Sequence, residues 1–208
     1  MSSSHQQASP GPGALCALSV VCFCFFALLT GRVPHEAAPA LIGICLGGGL
    51  IQIIAAVMDL KRGDLVGGTT FFVFGGFFMF STGINQAVHF MAALSTAHIS
   101  PAMDGWFFLA LAIILCLLTP SFATVSSIFF AALLFADVGV LILALVNLNL
   151  VGHALMPVGA WFIFILGIIG LYLVLAQVYN TAVGKMIFPT GSPLIKKYSP
   201  PPASDIKG

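Results

Sequence analysis

Charged side chains are scarce in this sequence: of 208 residues, seven are basic, six are acidic, and together they make up 6% of the chain. A soluble domain carries roughly a quarter charged residues, because water must solvate its surface. The shortage therefore excludes an ordinary water-soluble domain. Hydrophobic residues, at 60% of the chain, indicate instead that lipid covers most of the surface.

The patterns of several other functional classes are also missing. A net charge of +1 and the lack of a basic patch interleaved with aromatic residues predict no nucleic-acid partner. The five cysteines lie in apolar runs at spacings typical of neither a zinc site nor a disulfide framework, which predicts packing roles. No nucleophile with a neighbouring base and no phosphate-binding glycine loop is recognisable. We predict that the protein is not an enzyme and has no metal site and no cofactor.

Long apolar runs are what the sequence does contain. Only helices and closed barrels satisfy their own backbone hydrogen bonds in a bilayer, and barrel strands would alternate polar and apolar residues. Runs of about the 20 residues that a spanning helix needs occur at 13–30, 38–59, 66–94, 104–119, 123–147 and 152–180. The sequence predicts an all-α integral membrane protein with six transmembrane helices. The break between the fourth and fifth is expected at Thr119-Pro120-Ser121.

The distribution of basic residues predicts the orientation, because cytoplasmic regions carry an excess of Lys and Arg. With the N-terminus inside, the outer loops hold only Arg32. The cytoplasmic cations are then Lys61, Arg62, Lys185, Lys196, Lys197 and Lys207. We therefore predict a multi-pass protein of a cell membrane, plasma or bacterial inner, with both termini cytoplasmic. It divides into an N-terminal segment (1–12), a six-helix domain (13–184) and a Pro/Ser-rich tail (185–208).

Small residues recur at spacings that allow helices to approach closely in lipid, as in Gly43 with Gly47 and Gly68 with Gly75. Such stripes fit packing within one protomer as well as contacts between protomers. The sequence does not separate these two roles.

Four segments share the pattern of a known family. They are Gly48-Gly49-Leu50-Ile51-Gln52 with the following Asp59-Leu60-Lys61-Arg62-Gly63-Asp64; Gly67-Gly68-Thr69-Thr70-Phe71 with Phe74-Gly75-Gly76-Phe77-Phe78; Leu171-Tyr172-Leu173 with Asn180 and Phe188-Pro189-Thr190-Gly191; and Ser9-Pro10-Gly11-Pro12-Gly13-Ala14-Leu15. Together they resemble the acetate uptake transporter family, which includes the bacterial succinate–acetate permeases. In the last segment, the family's Asn-Pro-Ala-Pro signature keeps both prolines but loses its asparagine.

The resemblance implies transport of acetate or similar small monocarboxylates, with succinate as a further candidate substrate. It also implies a path within each protomer of a homo-oligomer, a hexamer if the chain follows the family, with membrane lipid around it. Coupling to a proton belongs to this hypothesis. Two alternatives stay open: a passive channel for a small neutral solute such as undissociated acid, urea or ammonia, and a membrane scaffold without transport.

Helix termini and embedded polar side chains provide the candidates for the substrate path. These are Ser9, Pro10, Pro12, Gln52, Thr69 and Asn180. The two prolines mark the first turn of the first helix, where free backbone N–H groups favour an anion. Alternatively, the prolines only start that helix, and the embedded amides and hydroxyl only form hydrogen bonds between helices.

The resemblance further implies a hydrophobic constriction, which by position falls on Leu18, Phe74 and Leu133. An apolar ring of this kind gates a pore by dewetting. The family commonly has Phe and Tyr where this chain has Leu18 and Phe74, so a hydroxyl that could meet an anion is missing. Ordinary core packing is the alternative.

Two acidic residues stand out. Asp137 lies near the middle of the fifth predicted helix, where a carboxylate costs on the order of 3 kcal/mol and is a functional suspect by default. We predict it as a candidate proton carrier; a hydrogen bond to a neighbouring helix is the alternative. Asp59, beside Lys61 and Arg62, is interpreted as part of an anchor at the lipid headgroups, or as one half of an ion pair that caps the second helix.

Overall fold

The computed structural model describes residues 8–95 and 97–196, and within them six helices are long and apolar enough to cross a membrane. They are α1 (Gly11–Leu29), α2 (Ala38–Lys61), α3 (Leu65–Leu94), α4 (Ala102–Phe122), α5 (Ser127–Asn147) and α6 (Met156–Val183). The predicted all-α, multi-pass membrane protein with six transmembrane helices is confirmed. Residues 1–7 of the predicted N-terminal segment and 197–208 of the predicted tail lie outside the described residues.

The six helices form a ring in chain order. Each helix packs against the next one, and α6 packs against α1, which closes the ring. The contact between α3 and α4 is the thinnest of these. The start of α1 lies beside the end of α6, since a Cβ atom on Gly11 would stand 3.5 Å from Gln177 Oε1. The described chain therefore begins and ends on one face of the bundle, here called the terminal face; the opposite one is the far face.

Glycines bring neighbouring helices close together at the centre of the ring. A Cβ atom on Gly75 of α3 would stand 2.7 Å from Gln52 Cβ of α2, and one on Gly170 of α6 would stand 2.6 Å from Ser19 Oγ of α1. In contrast, Gly43 and Gly47 are exposed on α2, with nothing within 4 Å of their Cβ positions. The structure therefore uses Gly75 for packing within the protomer and leaves the Gly43–Gly47 stripe on the outer surface.

The middle of α3 departs from α-helical geometry. Val73–Ser81 form a π-helix between the α-helical segments Leu65–Phe72 and Thr82–Leu94. The Ser81 hydroxyl donates to the carbonyl of Gly76, five residues earlier, at 2.8 Å. Such i→i+5 segments are rare and frequently occur at functional sites. Two aromatic residues of this segment, Phe74 and Phe78, point inward and are at most 2% exposed.

One predicted helix boundary is wrong. The Thr119-Pro120-Ser121 segment does not break the chain, because α4 continues through Pro120 to Phe122. Proline removes only one backbone N–H, and membrane helices tolerate this where nearby Ser or Thr side chains contribute hydrogen bonds. The Thr119 hydroxyl lies 3.0 Å from the Leu115 carbonyl oxygen. The turn follows instead at residues 123–126, where the Ser126 hydroxyl accepts from two N–H groups of the first turn of α5.

The chain after α6 folds back across the terminal face. Helix α6 ends at Gly184, whose φ of 73° is the left-handed conformation that favours glycine at this position. The backbone N–H of Leu194 then donates to the carbonyl of Ala123, at the end of α4, at 2.8 Å. Residues 184–196 therefore lie against the bundle.

Candidate functional site

A cavity of about 210 Å³ opens at the terminal face and extends into the ring. All six helices contribute to its wall, which is mostly apolar. The polar side chains of the wall are Ser9, Gln52, Asp59, Asp64, Thr70 and Gln177. At its deep end the wall is formed by Leu18, Phe74, Leu133 and Leu166. We call this space the terminal cavity.

The three residues of the predicted constriction meet at the deep end of the terminal cavity. Leu18, Phe74 and Leu133 come from α1, α3 and α5, and each is at most 5% exposed. Aromatic rings continue the apolar barrier beyond these three residues. The ring of Phe74 lies 5.8 Å from that of Phe78, which lies 5.6 Å from that of Phe25, measured between centroids. Phe74, Phe78 and Phe25 form what we call the aromatic plug.

A second cavity, of about 100 Å³, lies beyond the aromatic plug near the far face. Its wall consists of Phe25, Leu29, Thr82, Asn85, Gln86, Asp104, Phe108, Leu143, Asn147 and Met156. We call it the far cavity. Because Phe25 belongs to both the plug and this wall, two cavities and one apolar barrier lie in sequence through the ring. This arrangement is that of a closed path across a membrane.

Gln52 is the most firmly placed polar group of the terminal cavity. It is fully buried, and its Nε2 donates to the Ala14 carbonyl oxygen of α1 at 2.9 Å. A carbonyl can only accept, so this contact fixes which end of the amide faces α1. Its Oε1 atom has no hydrogen-bond partner among the described residues.

Thr70, and not the predicted Thr69, lines the cavity. Thr70 is 4% exposed and its hydroxyl oxygen has no hydrogen-bond partner among the described residues, whereas Thr69 is half-buried and lies off the wall. The helical repeat provides the signal that could have found it, because Val66, Thr70 and Phe74 follow one another at a spacing of four and share one face.

Comparison with known proteins decides the family. The sequence model of the GPR1/FUN34/yaaH family matches residues 1–192. The chain belongs to the GPR1/FUN34/yaaH family. The predicted kinship with acetate uptake transporters is thereby confirmed.

A solved structure shares the fold of this family member. It is the bacterial acetate channel SatP, which is 19% identical, with a TM-score of 0.78 over 89% of this chain and 100% of the channel. At that identity the likeness establishes the six-helix architecture alone. No curated protein sequence matches the chain significantly.

The predicted mouth of the path is found only in part. Ser9 lies on the wall of the terminal cavity, and its hydroxyl accepts from the N–H of Gly11 at 3.2 Å. Gly11 also lines the wall, whereas Pro10 and Pro12, on either side of it, do not. The prolines start α1, as the simpler interpretation expects.

Asn180 lies off the cavity walls and fixes the returning chain. Its Oδ1 accepts from the N–H groups of Ile187 and Phe188, at 2.8 and 3.0 Å, and its Nδ2 donates to the Phe188 carbonyl at 2.7 Å. These three bonds hold the returning chain against the end of α6.

Asp137 is 9% exposed and lies between α5 and α4, off the walls of both cavities. Its Oδ2 is 2.8 Å from the Thr119 hydroxyl, and its Oδ1 has no partner among the described residues. This contact with Thr119 of α4 is the hydrogen bond to a neighbouring helix that the sequence offered as the alternative to a proton carrier.

Sequence reasoning missed the acidic residues at the two mouths. The side chain of Asp59 is 4% exposed and lies 3.3 Å from Arg62 Nη1, which is the ion pair at the end of α2 that the sequence offered as the second interpretation. Asp59 also lines the terminal cavity, which the sequence did not indicate. It lies seven positions after Gln52, on the same face of α2. Asp64 also lines the wall and caps α3 by accepting from the N–H of Gly67 at 2.9 Å.

At the far cavity, Asp104 connects α4 to α3. Its Oδ1 accepts from Asn85 Nδ2 at 3.0 Å, and its Oδ2 lies 2.6 Å from His89 Nε2. Among the residues that line the two cavities there is thus an acid at each end and no Lys, Arg or His.

Proposed function

We propose that the protein moves acetate and similar small monocarboxylates across a cell membrane together with a proton. The path runs through the terminal cavity, the aromatic plug and the far cavity of each protomer. Kinship with acetate uptake transporters and the fold shared with the acetate channel SatP support this substrate class. A cavity of about 210 Å³ has room for a small carboxylic acid, because a single water molecule needs only about 10–15 Å³ of such space.

The observation that carries the proposal is the apolar constriction at the deep end of the terminal cavity. Leu18, Phe74 and Leu133 offer no polar atom, so a hydrated ion meets a dewetted barrier there. The carboxylates of Asp59 and Asp64 at the mouth disfavour a dianion. We therefore propose a monocarboxylate as the substrate in preference to succinate.

We propose a homo-oligomer, a hexamer by resemblance, with both chain termini in the cytoplasm. The exposed Gly43–Gly47 stripe on α2 is available for a contact between protomers, since no atom of another described element lies within 4 Å of its Cβ positions. The path itself lies inside one ring of helices and needs no second protomer to complete its wall.

The test is uptake of radiolabelled acetate into proteoliposomes, with and without an inward proton gradient, against protein-free vesicles. We expect gradient-driven uptake. Leu133→Phe should lower it severalfold because the larger side chain narrows the constriction. Leu134→Phe is the matched control, since Leu134 is 45% exposed on the outside of the same helix. Uptake no greater than in protein-free vesicles, or equal loss in both variants, would contradict the proposal.

A further arm of the same experiment tests the proton carrier predicted from the sequence. Asp137→Asn keeps a side chain that can contact Thr119 but removes the carboxyl group that could carry a proton. We expect gradient-driven uptake to persist, because Asp137 lies off both cavity walls. Loss of the gradient dependence, with acetate flux retained, would assign the proton to Asp137.

A further inference from the structure

We propose that the terminal cavity binds the undissociated carboxylic acid, held between the side chains of Gln52 and Thr70. This inference rests on the proposed transport of small monocarboxylates and names the chemical species that the site recognises. The proton then travels on the substrate itself.

Gln52 supplies a hydrogen-bond acceptor to the cavity. Its amide cannot be turned round, because the Nε2 atom is held by the Ala14 carbonyl at 2.9 Å and an acceptor facing that carbonyl would be repelled. Its Oε1 is therefore the end left for a ligand. This atom is buried and has no donor among the described residues, and a buried acceptor without a donor is costly. A ligand that brings an O–H or N–H group would satisfy it.

Thr70 supplies the complementary donor. Its hydroxyl lies on the same cavity wall, is buried, and has no partner among the described residues. A carboxylic acid offers one carbonyl acceptor, which can accept from the Thr70 hydroxyl, and one O–H donor, which can donate to Gln52 Oε1. A carboxylate offers acceptors only, so it would bond to Thr70 but repel Gln52 Oε1. The methyl group of acetic acid would face Leu18, Phe74 and Leu133.

The charges around the path support the same species. Asp59 and Asp64 line the mouth of the terminal cavity, and Asp104 lines the far cavity. Arg62 lies 3.3 Å from Asp59, and His89 lies 2.6 Å from Asp104. Each partner offsets part of the effect of its carboxylate, but neither is on the wall of the terminal or the far cavity. An anion passing these carboxylates would be repelled, whereas a neutral acid would not. Ammonium would be attracted by these carboxylates. However, its four N–H donors would exchange water for only two free acceptors, one amide oxygen and one hydroxyl oxygen, and for an apolar constriction.

The experiment is equilibrium binding to the full chain in detergent, which removes the background of acid diffusing through lipid. The probes are radiolabelled acetate over a range of pH, and acetamide, a neutral isostere with the same carbonyl acceptor and an N–H donor. We expect acetamide to displace acetate with an affinity independent of pH. The half-saturating total acetate concentration should rise about tenfold per pH unit above neutrality, as the undissociated fraction falls.

Substitutions at Thr70 locate the site. Thr70→Val should weaken binding of both probes about threefold to tenfold, the worth of one hydrogen bond, and Thr70→Ser should restore it. Thr181→Val makes the same chemical change on the exposed end of α6 and should leave binding unchanged.

Three results would overturn the inference: acetate affinity independent of pH with no displacement by acetamide, displacement by ammonium chloride, or wild-type binding of acetamide to a folded Thr70→Val protein. The acetamide measurement on the unaltered protein stands even if Thr70→Val fails to fold. If neither acetate nor acetamide binds and no acetate uptake occurs, the proposed function fails as a whole. Uptake of acetate without binding of acetamide would contradict only the binding of the undissociated acid at Gln52 and Thr70, and would leave the proposed transport intact.

Discussion

The two cavities of the path differ in how their polar side chains are satisfied. In the terminal cavity, Gln52 Oε1 and the Thr70 hydroxyl have no partner among the described residues. In the far cavity, Asp104 is bonded to Asn85 at 3.0 Å and lies 2.6 Å from His89. Unpartnered buried groups are free for a ligand, whereas partnered ones hold the protein together. The terminal cavity therefore offers polar atoms without partners, whereas the acid of the far cavity connects two helices.

The contacts of Asp104 lie where the packing between neighbouring helices of the ring is thinnest. Helices α3 and α4 have the thinnest contact of all neighbours in the ring, and Asp104 joins them near the far face. Interhelical hydrogen bonds are worth about 0.6 kcal/mol on average in membrane proteins. A polar connection of this kind therefore holds two helices that little apolar packing supports, and it does so without closing the far cavity.

The largest effect is expected from Phe78→Ala, which removes the central ring of the aromatic plug and joins the two cavities. Phe78 is fully buried, and a Phe→Ala change in a core costs about 3–5 kcal/mol of stability. We expect acetate flux to rise on the order of tenfold, because a wider apolar passage is easier to wet. Larger monocarboxylates should pass as well. Proteoliposome flux and a thermal unfolding curve would measure both effects.

Phe77→Ala is the matched control for that change. Phe77 belongs to the same π-helix but is 49% exposed on the outer side, so flux and substrate range should stay as in the unaltered protein. If Phe78→Ala folds and its flux does not exceed that of Phe77→Ala, the aromatic plug is not the barrier.

A smaller effect is expected from Asp104→Asn, which keeps a contact with Asn85 and loses the carboxylate beside His89. We expect the stability to fall by about 0.6 kcal/mol, the average worth of one interhelical hydrogen bond, and acetate flux to change less than twofold. Thermal unfolding and proteoliposome uptake would provide the two values. A flux loss of about threefold or more, the worth of one hydrogen bond, with stability unchanged, would place Asp104 in substrate binding and erase the difference between the cavities.

The sequence predicted the helices well, because their signal is local. Unbroken apolar runs located all six to within a few residues, except where α4 continues through Pro120 to Phe122. That boundary depends on the Thr119 side chain beside Leu115 and on the Ser126 cap, neither of which apolar periodicity records.

The candidate site was predicted less completely, because it depends on which helix face turns inward. Family pattern placed Gln52 on the wall but selected Thr69 in place of Thr70 and placed Asn180 in the path. Thr70 lies four residues before Phe74, so the helical repeat would have selected it in place of Thr69. For Asp59 the neighbouring cations suggested a headgroup anchor or an ion pair, and the structure contains the pair with Arg62. Its place on the cavity wall depends on the packing of α2 and was not predicted.

The charge moved per acetate shows whether a neutral acid or an anion moves along this path. Acetate uptake into proteoliposomes would be measured with an imposed membrane potential at zero pH gradient, and then with a pH gradient at zero potential. We predict that the pH gradient drives uptake and that the potential does not change its initial rate. Uptake that follows the membrane potential and ignores the pH gradient would show that the anion crosses alone, and would contradict the account.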